Sequence, residues 1–275
     1  LKIQEETGDR QGVIQSTDAL GLLAAERKEF RQALEYQNRA LALARQTGSP
    51  RLIAHQLSHL AARQMDVGEP EKAAALLEEA IHQSPPGTAI DHIFLSTARQ
   101  VMGLTELAFD SAGRAVQLAR RDRFAQLLPI ALYQHARVAL QLGKTPEAIS
   151  GLREAVQASE RIRAHLVPDD LLKQGYAARR QSLFALAVRT FFQYGDPAEA
   201  LETAERARSR AFLDLLATRE LEPEASPYPA ALQLSKRSVR NTQYAAPLAL
   251  PQMRETAARL GATLLVYWAH DETLL

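Results

Sequence analysis

Five alanines, each paired with another, constrain this 275-residue chain more than any other feature. Ala33, Ala73, Ala108, Ala148 and Ala200 are followed two helical turns later by Ala40, Ala80, Ala115, Ala155 and Ala207. Five residues before each leading alanine stands Lys28, Gly68, Gly103, Gly143 or Gly195. The intervals between units are 40, 35, 40 and 52 residues, so length varies in loops and helix ends. Residues seven apart fall on one stripe of a helix. Alanine on that stripe lets neighbouring helices approach closely. Glycine suits a left-handed turn that closes the preceding helix. Pro70, Pro146 and Pro197 follow where a new helix begins and needs no amide donor. A single hairpin of this kind leaves one apolar edge bare, and stacking buries it.

The pattern predicts helices at 11–26 and 29–46, 50–67 and 70–83, 88–102 and 105–121, 125–142 and 146–164, and 170–194 and 197–218. Leu1, Ile3, Thr7 and Gly8 repeat Leu41, Leu43, Thr47 and Gly48 at an offset of 40, which predicts the end of an earlier hairpin at the start of the chain. The expected organisation is a solenoid over 1–218, a linker over 219–249, and a short helix with a β-hairpin over 250–275. The linker carries Pro223, Pro227, Pro229 and Pro247 and has no sustained period, apart from one short helix near 230–240. Pro251 to Leu260 reads as a helix ended by Gly261. Ala262 to Ala269 reads as a strand, His270-Asp271-Glu272 as a turn, and Thr273-Leu274-Leu275 as the opening of a second strand.

Composition agrees with an all-α chain. Ala, Leu, Gln, Glu and Arg dominate and aromatics make up 6%. A formal net charge of +1 gives no bulk attraction to nucleic acid or to a membrane, and neither is an expected partner. No apolar run reaches the length needed to span a bilayer. Arginine outnumbers lysine, which points to a GC-rich bacterial genome, and the expected compartment is the cytoplasm. The absence of cysteine removes disulfides, thiolate metal sites and thiol nucleophiles from the chain.

The spacing and hairpin length resemble the tetratricopeptide family, a right-handed α-α superhelix, over residues 1–218. The small residue that family keeps on its first helix matches Gly21, Ala61, Ser96 and Ala136, while Val188 departs from it. Its usual tyrosine is replaced by Ala24, Gln64, Arg99 and Ala139. The resemblance implies a groove lined by first-helix positions, to which Gln15, Asp18, Ser58, Met65, Ile93, Thr97 and Gln193 belong. The candidate binding residues are His55, Asp66, Gln100, Tyr133, Arg137, Arg189 and Phe192, and the implied partner is a protein or peptide. Leu22 and Ala62 stand where a chaperone-type carboxylate clamp needs asparagine, so that activity is not expected.

A second resemblance lies in Ala204-Glu205-Arg206-Ala207-Arg208-Ser209-Arg210-Ala211-Phe212-Leu213-Asp214-Leu215-Leu216-Ala217. It is similar to the last repeat helix of bacterial proteins that carry a caspase-like CHAT peptidase after their repeats. Residues 264–275 resemble the first hairpin of that peptidase. This implies that Arg206, Arg208, Arg210 and Trp268 lie at a domain junction. It also implies that the catalytic His and Cys follow residue 275, so His270 is not the catalytic base.

The expected function is therefore a protein-binding scaffold, the sensor or substrate-recognition arm of such a peptidase. The other reading is a free-standing repeat adaptor. No catalysis and no cofactor are expected of this chain. His55 and His59 share a helix face, but Gln56 stands where a zinc hydrolase needs glutamate, and the sequence shows no third ligand beside them. No metal site is expected.

Overall fold

The computed structural model describes residues 9–122, 126–165, 170–218, 250–260, 269–270 and 273–274. Eleven helices are present among them. In chain order they are α1 (Arg10–Glu26), α2 (Phe30–Thr47), α3 (Pro50–Asp66), α4 (Pro70–Gln83), α5 (Ala89–Val101), α6 (Thr105–Arg121), α7 (Leu128–Gln141), α8 (Thr145–His165), α9 (Asp170–Tyr194), α10 (Pro197–Thr218) and α11 (Leu250–Leu260). All ten helices expected of the five pairs are found, with ends within a few residues of those read from the pattern. The earlier-hairpin remnant at 1–8 and the linker at 219–249 lie outside the described residues. The chain forms two compact units, 1–151 and 152–275, which divide inside α8.

In the first unit α1 packs on α2, α3 on α4, and α5 on α6. Each second helix also packs on the first helix of the following pair. First helices touch in turn, α1 with α3, α3 with α5 and α5 with α7, and so make one continuous face. The pairs are held by the predicted alanines. Ala33, Ala73, Ala108 and Ala148 have no exposed surface, nor do Ala40, Ala80 and Ala115, nor Ala155 of the second unit. Two neighbouring core clusters fill the first three pairs, and the partly buried Leu76 packs against both. Leu41, Leu57 and Ala80 share one cluster, and Ala61, Leu77 and Leu95 the next. Fully burying each leucine stabilises by about 1.5–3 kcal/mol.

The small first-helix residues lie at the tightest approaches. Ser96 is fully buried and its Oγ donates to the Ala108 carbonyl at 2.8 Å, across its own hairpin. Gly21 lies against Gln37 so closely that a Cβ there would stand 2.7 Å from the amide nitrogen.

Four hairpin turns close in the same way. The amides of Glu29, Glu69, Leu104 and Lys144 donate to the carbonyls of Ala24, Gln64, Arg99 and Ala139 at 2.8–2.9 Å, each five residues back. This is the Schellman closure, and it puts the residue before each donor in the left-handed region. That residue is Gly68, Gly103 or Gly143, with φ between 70° and 77°, and in the first hairpin Lys28, with φ 62°. Gly195 departs from the expected left-handed turn. Its amide donates four residues back to Phe191 O, so it continues the helical pattern.

In the second unit α9 packs on α10, and Ala200 is buried. Ala207 is half-buried, which leaves the last alanine pair less enclosed than the others. Arg153 of α8 forms a two-pronged ion pair with Glu199 at 2.7 Å. Helix α11 rests on α10, where Glu202 accepts from the Leu250 amide at 3.0 Å, and Met253 is buried. Two short antiparallel strands, β1 (Ala269–His270) and β2 (Thr273–Leu274), pair Ala269 with Leu274 and His270 with Thr273. His270 is thus a paired strand residue and not part of the turn. The rest of the expected first strand, 262–268, lies outside the described residues.

At Gly103 an added Cβ meets nothing within 4 Å, so Gly103→Ala tests backbone conformation alone. It should cost about 1 kcal/mol, because an L-residue is disfavoured in the left-handed region by about 1–2 kcal/mol. Lys28→Gly relieves the same strain but loosens the unfolded chain, and should stabilise by up to about 1 kcal/mol. Urea unfolding of the two variants should show midpoints displaced in opposite directions.

Candidate functional site

The face made by the first helices of the first unit carries two polar clusters. One lies where α5 meets α7. Gln100 of α5 and Tyr133, Gln134 and Arg137 of α7 are brought together there. Arg137 Nη2 donates to Gln100 Oε1 at 3.0 Å, and the guanidinium carbon stands 5.6 Å from the centre of the Tyr133 ring. Gln134 Nε2 donates to Gln100 Oε1 at 3.2 Å and to Ser96 Oγ at 3.1 Å. Gln100 Nε2 donates in turn to Gln141 Oε1 at 2.7 Å. The buried Ser96 and Gln134 form the floor, and Gln100, Tyr133 and Arg137 are half-buried above it. Among the described residues every acceptor of Arg137 is neutral, so its charge is solvated and hydrogen-bonded without a carboxylate partner. Three of these residues are candidates read from the groove pattern; Gln134, which lies one turn before the Arg137–Gln141 edge and holds Gln100 in place, was not among them.

The second cluster lies where α1 meets α3. Here the structure places a carboxylate beside the two histidines, which the sequence did not reveal. Asp18 Oδ1 is 2.6 Å from His59 Nδ1, and the rings of His55 and His59 are 4.2 Å apart. Burial raises the Asp18 carboxyl, but the hydrogen bond and charge of His59, with the Gln37 amide, outweigh it and leave the group below its ordinary 3.8. Desolvation, and then the nearby His59, lower His55 below 6.5 against the opposing pull of Asp18 and Asp91.

The other candidates are scattered. Asp66 is exposed at the end of α3 and pairs with Arg63 of the same helix at 3.1 Å. Arg189 and Phe192 belong to the second unit, exposed on α9, and Phe192 leaves 49% of its surface uncovered. Arg206 stands 3.7 Å from Glu202 one turn before it. The side chains of Arg208 and Arg210, and Trp268 altogether, lie outside the described residues.

With this geometry in view, the known proteins place the fold. No protein-family profile and no curated protein matches the chain. Solved structures do. BtubC (BKLC) from P. vanneervenii superposes with a TM-score of 0.64 at 18% identity, over 83% of this chain and 91% of its own. The nearly identical TPR-like repeats of a Podosopora anserina kinesin light chain superpose at 0.54 and 17% identity, over 72% of this chain and 96% of theirs. The fold is thus a helical-repeat stack of the tetratricopeptide type, as the alanine period predicts. No helix among the described residues is long and apolar enough to cross a membrane.

Helix α7 also carries a titrating group away from this face. His135 packs against the Phe109 ring, 4.4 Å between centroids. Desolvation lowers its pKa below 6.5, with Lys144 and Arg120 adding to the effect and Glu147 opposing it. His92 is lowered by burial as well, against a hydrogen bond to the Pro86 carbonyl. A histidine whose folded pKa is depressed takes up its proton more readily when unfolded. Its stabilising contribution is whole above the unfolded pKa and is lost as pH falls from there through the folded value. The unfolding midpoint in urea should therefore drop between about pH 7 and pH 5. His135→Gln should flatten that slope, and a slope equal to the parent's would refute the assignment.

Proposed function

We propose that this chain is a protein-binding scaffold that holds an acidic or carboxylate-terminated peptide segment against Gln100, Tyr133 and Arg137. One observation carries the reading: Arg137 presents a guanidinium on the first-helix face whose described partners are all neutral. A carboxylate arriving there forms a charge-assisted pair without displacing an internal one. The Tyr133 ring beside it offers a flat apolar wall. Arginine and tyrosine are the side chains that most often dominate binding energy at such surfaces. The repeat fold supports the same role, because a stack of hairpins presents an extended face assembled from many helices.

In its finer form the proposal makes this scaffold the sensor or recognition arm of a caspase-like CHAT peptidase, working in a bacterial cytoplasm. The support is the likeness of residues 204–217 and 264–275 to the repeat-to-peptidase boundary of that family. With no cysteine in the chain, the thiol nucleophile would belong to sequence after Leu275. The coding sequence beyond that residue tests this part directly. A His and a Cys at the ends of neighbouring strands would support it, and their absence would remove it.

Selection of random peptides on the purified chain tests the binding role. Enriched peptides should carry Asp, Glu or a free terminal carboxylate. Arg137→Ala and Tyr133→Ala should each weaken a selected peptide by about tenfold or more in fluorescence polarisation. Peptides without acidic bias, bound equally well by both variants, would defeat the proposal.

A further inference from the structure

Three side chains from successive hairpins converge on one point of the first-helix face. Asp18 comes from α1, and His55 and His59, one turn apart, come from α3. One ligand atom of each lies within 4.8 Å of the others. Asp18 is buried, His59 half-buried and His55 exposed, so the point is anchored on one side and open on the other.

The surroundings fix these groups. Gln37, fully buried on α2, donates from Nε2 to Asp18 Oδ1 at 3.0 Å and to the Asp18 carbonyl at 3.3 Å. Gly21 makes room for that amide, which any Cβ would crowd at 2.7 Å. The Gln56 amide lies 3.2 Å from His55 Nδ1; ligation through His55 Nε2 puts the ring proton on Nδ1, which then donates to the Gln56 amide oxygen. Gln37 and Gln56 are both buried, and the Oε1 of each has no hydrogen-bond donor among the described residues. Asp18 adds a carboxylate. The two imidazoles and this carboxylate bring one ligand atom each to the same point, a donor set that accepts a cation. Arg51, one turn before His55, and Asp91 of α5 act on His55 with opposite sign.

We propose that Asp18, His55 and His59 bind one divalent transition-metal ion, which clamps the first hairpin to the second. Two imidazoles and a carboxylate suit zinc, copper, nickel or iron, whereas magnesium and calcium take oxygen ligands. Coordination bonds of about 2.0–2.2 Å require the Asp18–His59 contact to open from a hydrogen bond to about 3 Å. In the absence of metal that hydrogen bond keeps the two ligands side by side. Gln37 orients the carboxylate from behind, the part that outer hydrogen bonds play at metal centres. Three protein ligands leave a fourth position for water or for an incoming group.

Isothermal titration of the full 275-residue chain with zinc chloride, after stripping with a chelator, tests the site. It should give one ion per chain and raise the thermal midpoint. Asp18→Asn, His55→Gln and His59→Gln should each weaken binding by about tenfold or more, since even loss of an outer partner costs 10–100-fold. His55 is exposed, so His55→Gln should keep the parent's circular dichroism spectrum and thermal midpoint in chelator. That variant remains decisive if the other two unfold. A cobalt-loaded parent should show visible d–d absorption that His55→Gln loses. No zinc uptake, or uptake unchanged in His55→Gln, would reduce the cluster to a histidine–aspartate hydrogen bond.

Discussion

Close contact between alanine-bearing helices is the constraint on which the rest of this structure depends. With only a methyl group at positions such as Ala73, Ala80, Ala108 and Ala115, backbones come near enough for a serine hydroxyl to reach a carbonyl across the hairpin, as Ser96 does to Ala108. Dispersion contacts are individually weak and fall off steeply with distance, so small residues at the seam let many of them add up. The turns serve the same end. A Schellman closure reverses the chain in so few residues that the second helix has no choice but to lie against the first.

The polar clusters follow from that spacing. Because first helices touch in turn, residues one repeat apart become neighbours. Gln100 meets Arg137 in this way, and Asp18 meets His59. Both clusters are built on helices whose other faces are locked in the core. Their geometry is therefore set by Leu57, Leu95 and the alanines more than by the polar groups themselves. In each case a buried glutamine ties the cluster together, Gln134 in one and Gln37 in the other.

The fold was legible in the sequence because its cause is periodic. The Gly–Ala–Ala spacing, with proline at helix starts, located ten helices within a few residues. Where the period weakened, so did the reading. Gly195 occupies the repeat position but keeps a helical bond, and His270 pairs in a strand where a turn was expected. The site was legible only in part. Tyr133 and Arg137 lie one turn apart on one helix and Gln100 near the end of the preceding first helix, each at a groove position of the repeat, so a groove pattern catches all three. Asp18 and the histidines are as far apart as one repeat, yet their meeting depends on Gln37 filling the space that Gly21 leaves, and no single-helix pattern carries that information.

Replacing Ala148 with leucine and measuring stability in urea tests the central claim most directly. Ala148 has no exposed surface, and the added atoms have no vacant space if the seam is as tight as described. Overpacking a tight seam should cost about 1–3 kcal/mol with an unchanged helical signal in the native baseline. An unfolding midpoint equal to or above the parent's would show that the alanines tolerate a larger side chain, and that close approach is not what holds the stack together.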